Sequence, residues 1–454
     1  MTEIFVNSKT YFSRQTTRGT IMKFKFILLF FFFILIIKST GQEQEIKKGN
    51  VIFIHPDGTS LATFNAARML YYGPDGFLNW DKLPSIGLYR GHVKNALAAS
   101  SHSGATIHAY GTKVIKDSYG KDGKKPVISR AGNNMSIMHE AIKSGLRTGI
   151  VNSGTIVEPG TGAFVAQSDS RDNYEEITEQ IIKSGLDVIF CGGEEWLIPK
   201  DEKGFFGKEG NRKDGQNLLI WAEENGYKII YTKDELNNLP KDTEKVIGIF
   251  AYADTYNAKS EEELKEKGLP NYNPNSPTVA EMTKKAIEIL SNSDKNFFLV
   301  TEEEGTDNFG NNTNANGMLE ALKRADDAIK AALDFYNENP NTLIITAADS
   351  EAGGMEVLGE PESVFPPNKI LPAKDRHGYS LDGSTGSETL PFISQPDKNG
   401  NRFPFAICWS TTYDAVGANL IRGIGLNSFL INGNMDNTDV YKVMYAALFG
   451  KLVD

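Results

Sequence analysis

The chain has 454 residues, 48 Lys and Arg against 58 Asp and Glu, six His and two Cys, for a formal charge of −10. A hydrophobic content of 40% with 23% charged residues excludes a wholly disordered chain, and the length suffices for a large buried core. The acidic balance argues against non-specific nucleic-acid binding, which needs surplus Lys and Arg, and two cysteines cannot build a disulfide framework or a cysteine-based zinc site.

Residues 26–37 read FILLFFFFILII, an unbroken apolar run. At about 1.5 Å per helical residue the run is too short for a hydrocarbon core of roughly 30 Å. Lys23 and Lys25 precede it, and Lys38, Ser39, Thr40 and Gly41 follow it, which is the layout of a secretory signal. Residues 22–42 are therefore expected to be a signal peptide. Its removal would leave a periplasmic or secreted protein with no stable membrane span. Met22 stands directly before the basic part, so residues 1–21 read as an over-long start and 46–454 as the folded domain.

Strands are predicted at 51–54 (VIFI), 148–151 (TGIV), 188–190 (VIF), 297–301 (FFLVT), 343–346 (LIIT) and 405–408 (FAIC). Each is short and rich in β-branched or aromatic residues. Helices are predicted between them. In 174–184, Ile177, Ile181 and Ile182 share a face, and in 317–336 so do Met318, Leu322, Ala325, Ile329 and Ala332. Strands alternating with helices predict an α/β fold, a single three-layer α/β/α domain around a mostly parallel sheet. Residues 200–214 and 270–277 read as surface insertions. Cys191 and Cys408 lie at the ends of apolar runs, and either pair after export or stay as buried thiols.

Ligands gather outside the carboxyl ends of parallel strands. Asp57 follows 51–54, Glu302 and Asp307 follow 297–301, and Asp349 follows 343–346. Alone, each would pass for a turn residue or a cap. Together they suggest converging oxygen ligands for divalent cations. The segment 96–114, ALAASSHSGATIHAYGTKV, offers Ser100, Ser101 and Ser103 ahead of a predicted helix. A serine there is either an N-cap or a group held where backbone N–H groups and the helix dipole favour a phosphate. His55 and His102 lie close to Asp57 and Ser101 in sequence. For His102 the sequence leaves open a general acid, a phosphate contact or a supporting hydrogen bond. No GxxxxGK[ST], GxSxG or HExxH motif occurs.

In order and spacing these segments resemble the alkaline phosphatase family from about Val51 to the C-terminus. Asp57-Gly58 resembles the family's first metal-binding aspartate, and Ser101 falls on its phosphorylated serine. IVEPGTGAFVAQSDSRD resembles the segment ending in the phosphate-clamping arginine, which puts Arg171 in that place. LDVIFCGG matches a strand and its diglycine, Glu302 and Asp307 keep the family's spacing, and Asp349 falls in its Ala-Asp-His segment. The closing MDNTDVYKVMYAAL is similar to the family's last helix.

The resemblance implies three zinc-binding histidines, but Asn311, Ser350 and Asp414 stand in their places. Ser100 replaces the acidic residue usual before the nucleophile. Gly160 stands where a magnesium-binding Thr is usual, with Thr161 adjacent and Glu158 in the neighbouring acidic position. The chain therefore reads as a divergent branch lacking the zinc-ligand histidines. Its oxygen-only ligands suit Mg²⁺, Ca²⁺ or Mn²⁺, with Zn²⁺ as the family default.

The implied activity is metal-dependent hydrolysis of small-molecule phosphate monoesters through a phosphoserine at Ser101. One cation would be held by Asp57, Asp349 and Ser350, another by Asp307, Asn311 and Asp414, and a third by Glu302 and Glu158. Arg171 would clamp the phosphoryl oxygens. Alternatives are a phosphodiesterase or sulfatase of the same superfamily, or a non-catalytic exported protein that binds phosphate or cations. Family analogy adds a homodimer.

Overall fold

The computed structural model describes residues 44–454; the expected over-long start (1–21) and signal peptide (22–42) lie outside the described residues. The first eight strands are β1 (Asn50–Pro56), β2 (Ser85–Arg90), β3 (Arg147–Thr155), β4 (Val188–Gly192), β5 (Lys228–Ile230), β6 (Val246–Ile249), β7 (Phe297–Glu303) and β8 (Thr342–Thr346). Five short strands follow, β9 (Met355–Leu358), β10 (Ser380–Gly383), β11 (Gly386–Ser387), β12 (Phe392–Ile393) and β13 (Pro404–Trp409). The last two are β14 (Leu420–Gly425) and β15 (Asn432–Asp436). Ten of them form the central sheet in the order β15-β2-β14-β8-β1-β7-β3-β4-β6-β5. β14 pairs antiparallel with both neighbours, and every other pairing in this sheet is parallel.

Strand alternation explains the three layers. Val51, Phe53, Phe298, Val300, Leu343 and Ile345 point to one face, where the helices Ser101–Tyr110, Tyr174–Ile182 and Thr438–Phe449 cover them. Ile52, Ile54, Phe297, Leu299 and Ile344 point to the other, under Leu61–Tyr72, Val279–Leu290 and Ala315–Glu338. Each large side chain fully buried in this way contributes about 1.5–3 kcal/mol relative to exposure. Local signals set the helix starts. Thr278 and Glu281 form a reciprocal capping box ahead of Val279–Leu290, and Asn314 Oδ1 accepts the Gly317 N–H at 2.6 Å to open Ala315–Glu338. Among the described residues no helix is long and apolar enough to cross a membrane.

Two expectations change. The strand predicted at 405–408 lies outside the central sheet, because β13 pairs antiparallel with β9, β10 and β12 in a smaller second sheet. Its apolar run reflects burial between neighbours, which does not say in which sheet it is buried. The insertion 200–214 is anchored: Arg212 is buried, and its Nη1 donates to the carbonyls of Glu175 at 3.2 Å and Trp196 at 3.1 Å. Cys191 in β4 and Cys408 in β13 are free thiols, the first buried and the second half-buried.

The loop ahead of β2 is tied to the long helix Ala315–Glu338 through one buried carboxylate. Asp326 accepts the Trp80 N–H and the Asn79 side-chain amide, both at 2.9 Å. Asp326→Ala leaves the Trp80 N–H buried without a partner and the Asn79 amide with only the carbonyl of residue 326 at 3.2 Å, and is expected to cost about 1–3 kcal/mol. Urea titration should show the midpoint fall at an unchanged slope; an unmoved midpoint contradicts the assignment.

Candidate active site

The parallel register lines up three side chains at the carboxyl edge. His55 of β1 is paired with Glu302 of β7, and Glu302 with Asn152 of β3. All three continue the face that carries Phe53, Val300 and Ile150, so they turn toward the helix Ser101–Tyr110. Glu302 accepts a short hydrogen bond from Asn152, whose side chain also donates to Thr161 Oγ1 at 2.9 Å. The other Glu302 oxygen, Oε1, is buried with no partner.

Asp57 lies just past the end of β1, fully buried. Its Oδ1 accepts the Gly58 N–H at 2.8 Å and sits 3.2 Å from His55 Nε2, while Oδ2 has no partner. Burial pushes this carboxyl up, but His55, Asp349 and the Ser101 hydroxyl together hold it below the usual carboxylate range. Ser101 is the first residue of its helix and is largely buried, with 9% of its surface exposed. Asp349 approaches this helix at Gly104, where any Cβ would strike the carboxylate. Gly160 holds the same relation to Glu302. Where the resemblance implies a threonine hydroxyl, the chain therefore has open space that a carboxylate fills.

A second set gathers on the helix Gly305–Asn311. Asn311 Nδ2 donates to Asp307 Oδ2 at 3.0 Å and to Asp414 Oδ1 at 3.2 Å, and its Oδ1 accepts the Gly353 N–H at 3.2 Å. Asp307, Asn311 and Asp414 thus lie within hydrogen-bond reach of one another through the Asn311 amide. Ser350 Oγ reaches Asp349 Oδ1 at 3.4 Å. Glu158 is bridged to Arg171 Nη2 at 3.2 Å, and that guanidinium remains 42% exposed, so it opens to solvent.

Carboxylate oxygens of Asp57, Glu304 and Asp307 fall within 4.8 Å of one another, as do ligand atoms of His55, Asp57 and Glu302. Asp57 belongs to both groups. Glu304 was missed at the sequence level: it lies one residue past β7, as the N-cap of Gly305–Asn311 with helical φ/ψ, where strand alternation gives no signal. Glu302 and Glu304 face the site, while Glu303 turns away to accept from Ser153 Oγ at 2.8 Å. Glu304 Oε2 and Asp349 Oδ2 are also buried without partners. Burial and mutual repulsion push Glu304, Asp307 and Asp349 well above the carboxylate range, and burial takes Glu302 up to about 8. Unpartnered buried carboxylate oxygens in this number fit divalent cations.

The expectation of a site without histidine is corrected. His55 is fully buried inside the first group, and though burial pulls it down, Asp57 and Glu302 raise it to about 9. An isolated histidine two residues before Asp57 gave no spacing signal, because its partner Glu302 comes from another strand. The other two buried histidines differ. Burial and Arg171 hold His102 down to about 3, and burial and His55 hold His108 well below the ordinary value. His377 sits in an exposed loop against Arg376.

A sequence model for the family described as alkaline phosphatase matches residues 48–449. The alkaline phosphatase of Escherichia coli (strain K12) is 26% identical over 339 residues, covering 66% of this chain and 69% of that one. Alkaline phosphatase 4 of Bacillus subtilis (strain 168) is 28% identical over 282 residues, covering 60% and 54%. Among solved structures, the alkaline phosphatase from the Antarctic bacterium TAB5 matches with a TM-score of 0.66 at 22% identity, covering 89% of this chain and 99% of that one. The Thermus thermophilus alkaline phosphatase matches with a TM-score of 0.67 at 19% identity, covering 90% and 94%. At these identities the structural likeness speaks for the fold.

The raised carboxyls set the pH dependence of cation-free protein. Glu302, Glu304, Asp307 and Asp349 bind protons more tightly folded than unfolded. Their contribution therefore turns unfavourable as pH rises above the ordinary carboxylate range. His55 acts in the same direction, its contribution being lost as pH rises through about 9. Asp57, held low, is already ionised across this window and adds no slope. The Tm of chelated protein is expected to fall from about pH 6 to about pH 9, and added divalent cation to restore it most at the alkaline end. A flat profile in scanning calorimetry would contradict the cluster.

Proposed function

This chain belongs to the alkaline phosphatase family, and from that premise we propose that it hydrolyses phosphate monoesters through a phosphoserine formed at Ser101. The observation that carries this reading is Ser101 at the start of a helix whose Gly104 packs against the Asp349 carboxylate, amid buried carboxylate oxygens that have no protein partner.

Ser101 Oγ attacks phosphorus, its bond to phosphorus forms, and the bond to the ester oxygen breaks, so the alcohol leaves with a proton. Water then attacks the phosphoserine, Ser101 recovers its proton, and inorganic phosphate departs. The N-terminal end of the helix Ser101–Tyr110 directs backbone N–H groups and a positive dipole toward the anion. Arg171 offers a planar fork to two phosphoryl oxygens, and Glu158 orients it through the 3.2 Å bridge. Asp57, Glu304, Asp307, Asn311, Asp349, Ser350 and Asp414, and Glu302 with Glu158, would hold divalent cations, which when bound would neutralise charge and acidify the attacking hydroxyl. The carboxylates of Asp307 and Asp414 offer oxygen, which suits Mg²⁺, Mn²⁺ or Ca²⁺. The reading includes export, with 46–454 as the catalytic domain, and small phosphate esters as substrates.

Ser101→Ala is expected to lower kcat/KM on p-nitrophenyl phosphate at least roughly 1000-fold. It should also abolish the acid-quenched phosphoserine that wild type gives with labelled phosphate; retained turnover would falsify the assignment. Arg171→Lys keeps the charge but loses the fork, and a drop of about 10- to 100-fold in kcat/KM is expected. Faster cleavage of the diester or the sulfate than of the monoester would redirect the reading within the superfamily.

A further inference from the structure

The imidazole of His55 is fixed by a group that can only accept. Its Nδ1 lies 2.7 Å from the Ala347 carbonyl oxygen, so Nδ1 carries the proton. In the neutral ring Nε2 then presents a lone pair. That nitrogen is buried, has no hydrogen-bond partner, and faces Asp57 Oδ1 at 3.2 Å and Glu302 Oε1 at 4.0 Å. Glu302 Oε1 is likewise buried and unpartnered. A lone pair pointed at two carboxylate oxygens is repulsive unless a positive group lies there: a proton on Nε2 in cation-free protein, or a metal ion that takes the proton's place. Bond lengths near 2 Å separate the donors around one ion by roughly 3 to 4 Å, and both distances fall in that span. The hydrogen bond from Nδ1 to a backbone carbonyl is also the usual support for a metal-bound histidine, since it fixes the ring's orientation and raises the basicity of Nε2.

We infer that His55 is a nitrogen ligand in a cation site completed by Asp57 and Glu302, and that this site takes a borderline ion of the Co²⁺ or Zn²⁺ class in preference to Mg²⁺ or Ca²⁺. Imidazole selects such ions, whereas oxygen-only shells suit the hard ones. The inference rests on the reading that the cluster holds cations. It adds that the end of β1 and the residue just past it supply a nitrogen and an oxygen ligand, from His55 and Asp57, to one ion. The chain would then hold unlike ions in one site: a nitrogen-containing position beside the Asp307, Asn311 and Asp414 group.

Purified full-length protein is chelated, reloaded with Mn²⁺ alone, and examined by pulsed electron paramagnetic resonance. Wild type is expected to show the ¹⁴N modulation of a bound imidazole. His55→Gln is expected to lose that modulation, with Mn²⁺ affinity of one class of sites falling by at least roughly 10-fold. Absence of nitrogen modulation in wild type overturns the inference without recourse to any variant, and so does modulation that persists in folded His55→Gln. Phosphatase assays run in parallel separate the two readings. Turnover without a nitrogen signal sinks this inference alone, and a nitrogen signal without turnover sinks the catalytic reading alone.

Discussion

The site is governed by one electrostatic constraint: like charges packed out of water. Asp57, Glu302, Glu304, Asp307 and Asp349 are all buried within reach of one another's fields. Two unit charges 4 Å apart repel by about 4 kcal/mol at an effective dielectric constant near 20. Several such pairs exceed what a domain's net stability of roughly 5–15 kcal/mol could absorb. The cluster therefore persists only protonated or neutralised, and its unpartnered oxygens fit neutralisation by divalent ions. The strands make this tolerable. β1, β7 and β8 are anchored by buried apolar residues on both faces, so their carboxyl ends cannot splay to relieve the repulsion.

Adjacent residues at one strand end serve different purposes because of the pleat. Glu302 and Glu304 are committed to the site. Glu303 faces away, 3.7 Å from Arg324, whose guanidinium lies 4.1 Å from the centre of the Tyr272 ring. That buried pairing ties β7 to the helix Ala315–Glu338 behind the sheet. Substituting Glu303 would therefore act on stability first and chemistry second, despite its acidic neighbours on both sides.

The central strands were legible because a strand buried on both faces leaves an uninterrupted apolar run, and β1, β4, β7 and β8 do so. The acids after them were legible because a polar residue ending such a run stands out. β2 and β15 were not, since both are partly exposed and carry mixed residues. β13 was seen as a strand but not assigned to its own sheet, for an apolar run carries no record of its neighbours. His55 and Glu304 escaped for a related reason. Their roles come from register across strands and from the turn that follows one, neither of which is visible in local composition. Asp307, Asn311 and Asp414 lie together although more than a hundred residues separate Asp414 from the others, a proximity that no local pattern in the sequence encodes.

Arg171 is not idle in the folded chain. Its guanidinium is engaged by Glu158 through one nitrogen, Nη2, on the solvent-open side of the site. The other donors of the fork stay uncommitted. A long side chain tethered at a single corner gives up much of its rotational freedom in advance, so ordering it again for a second contact costs less than ordering it from solution.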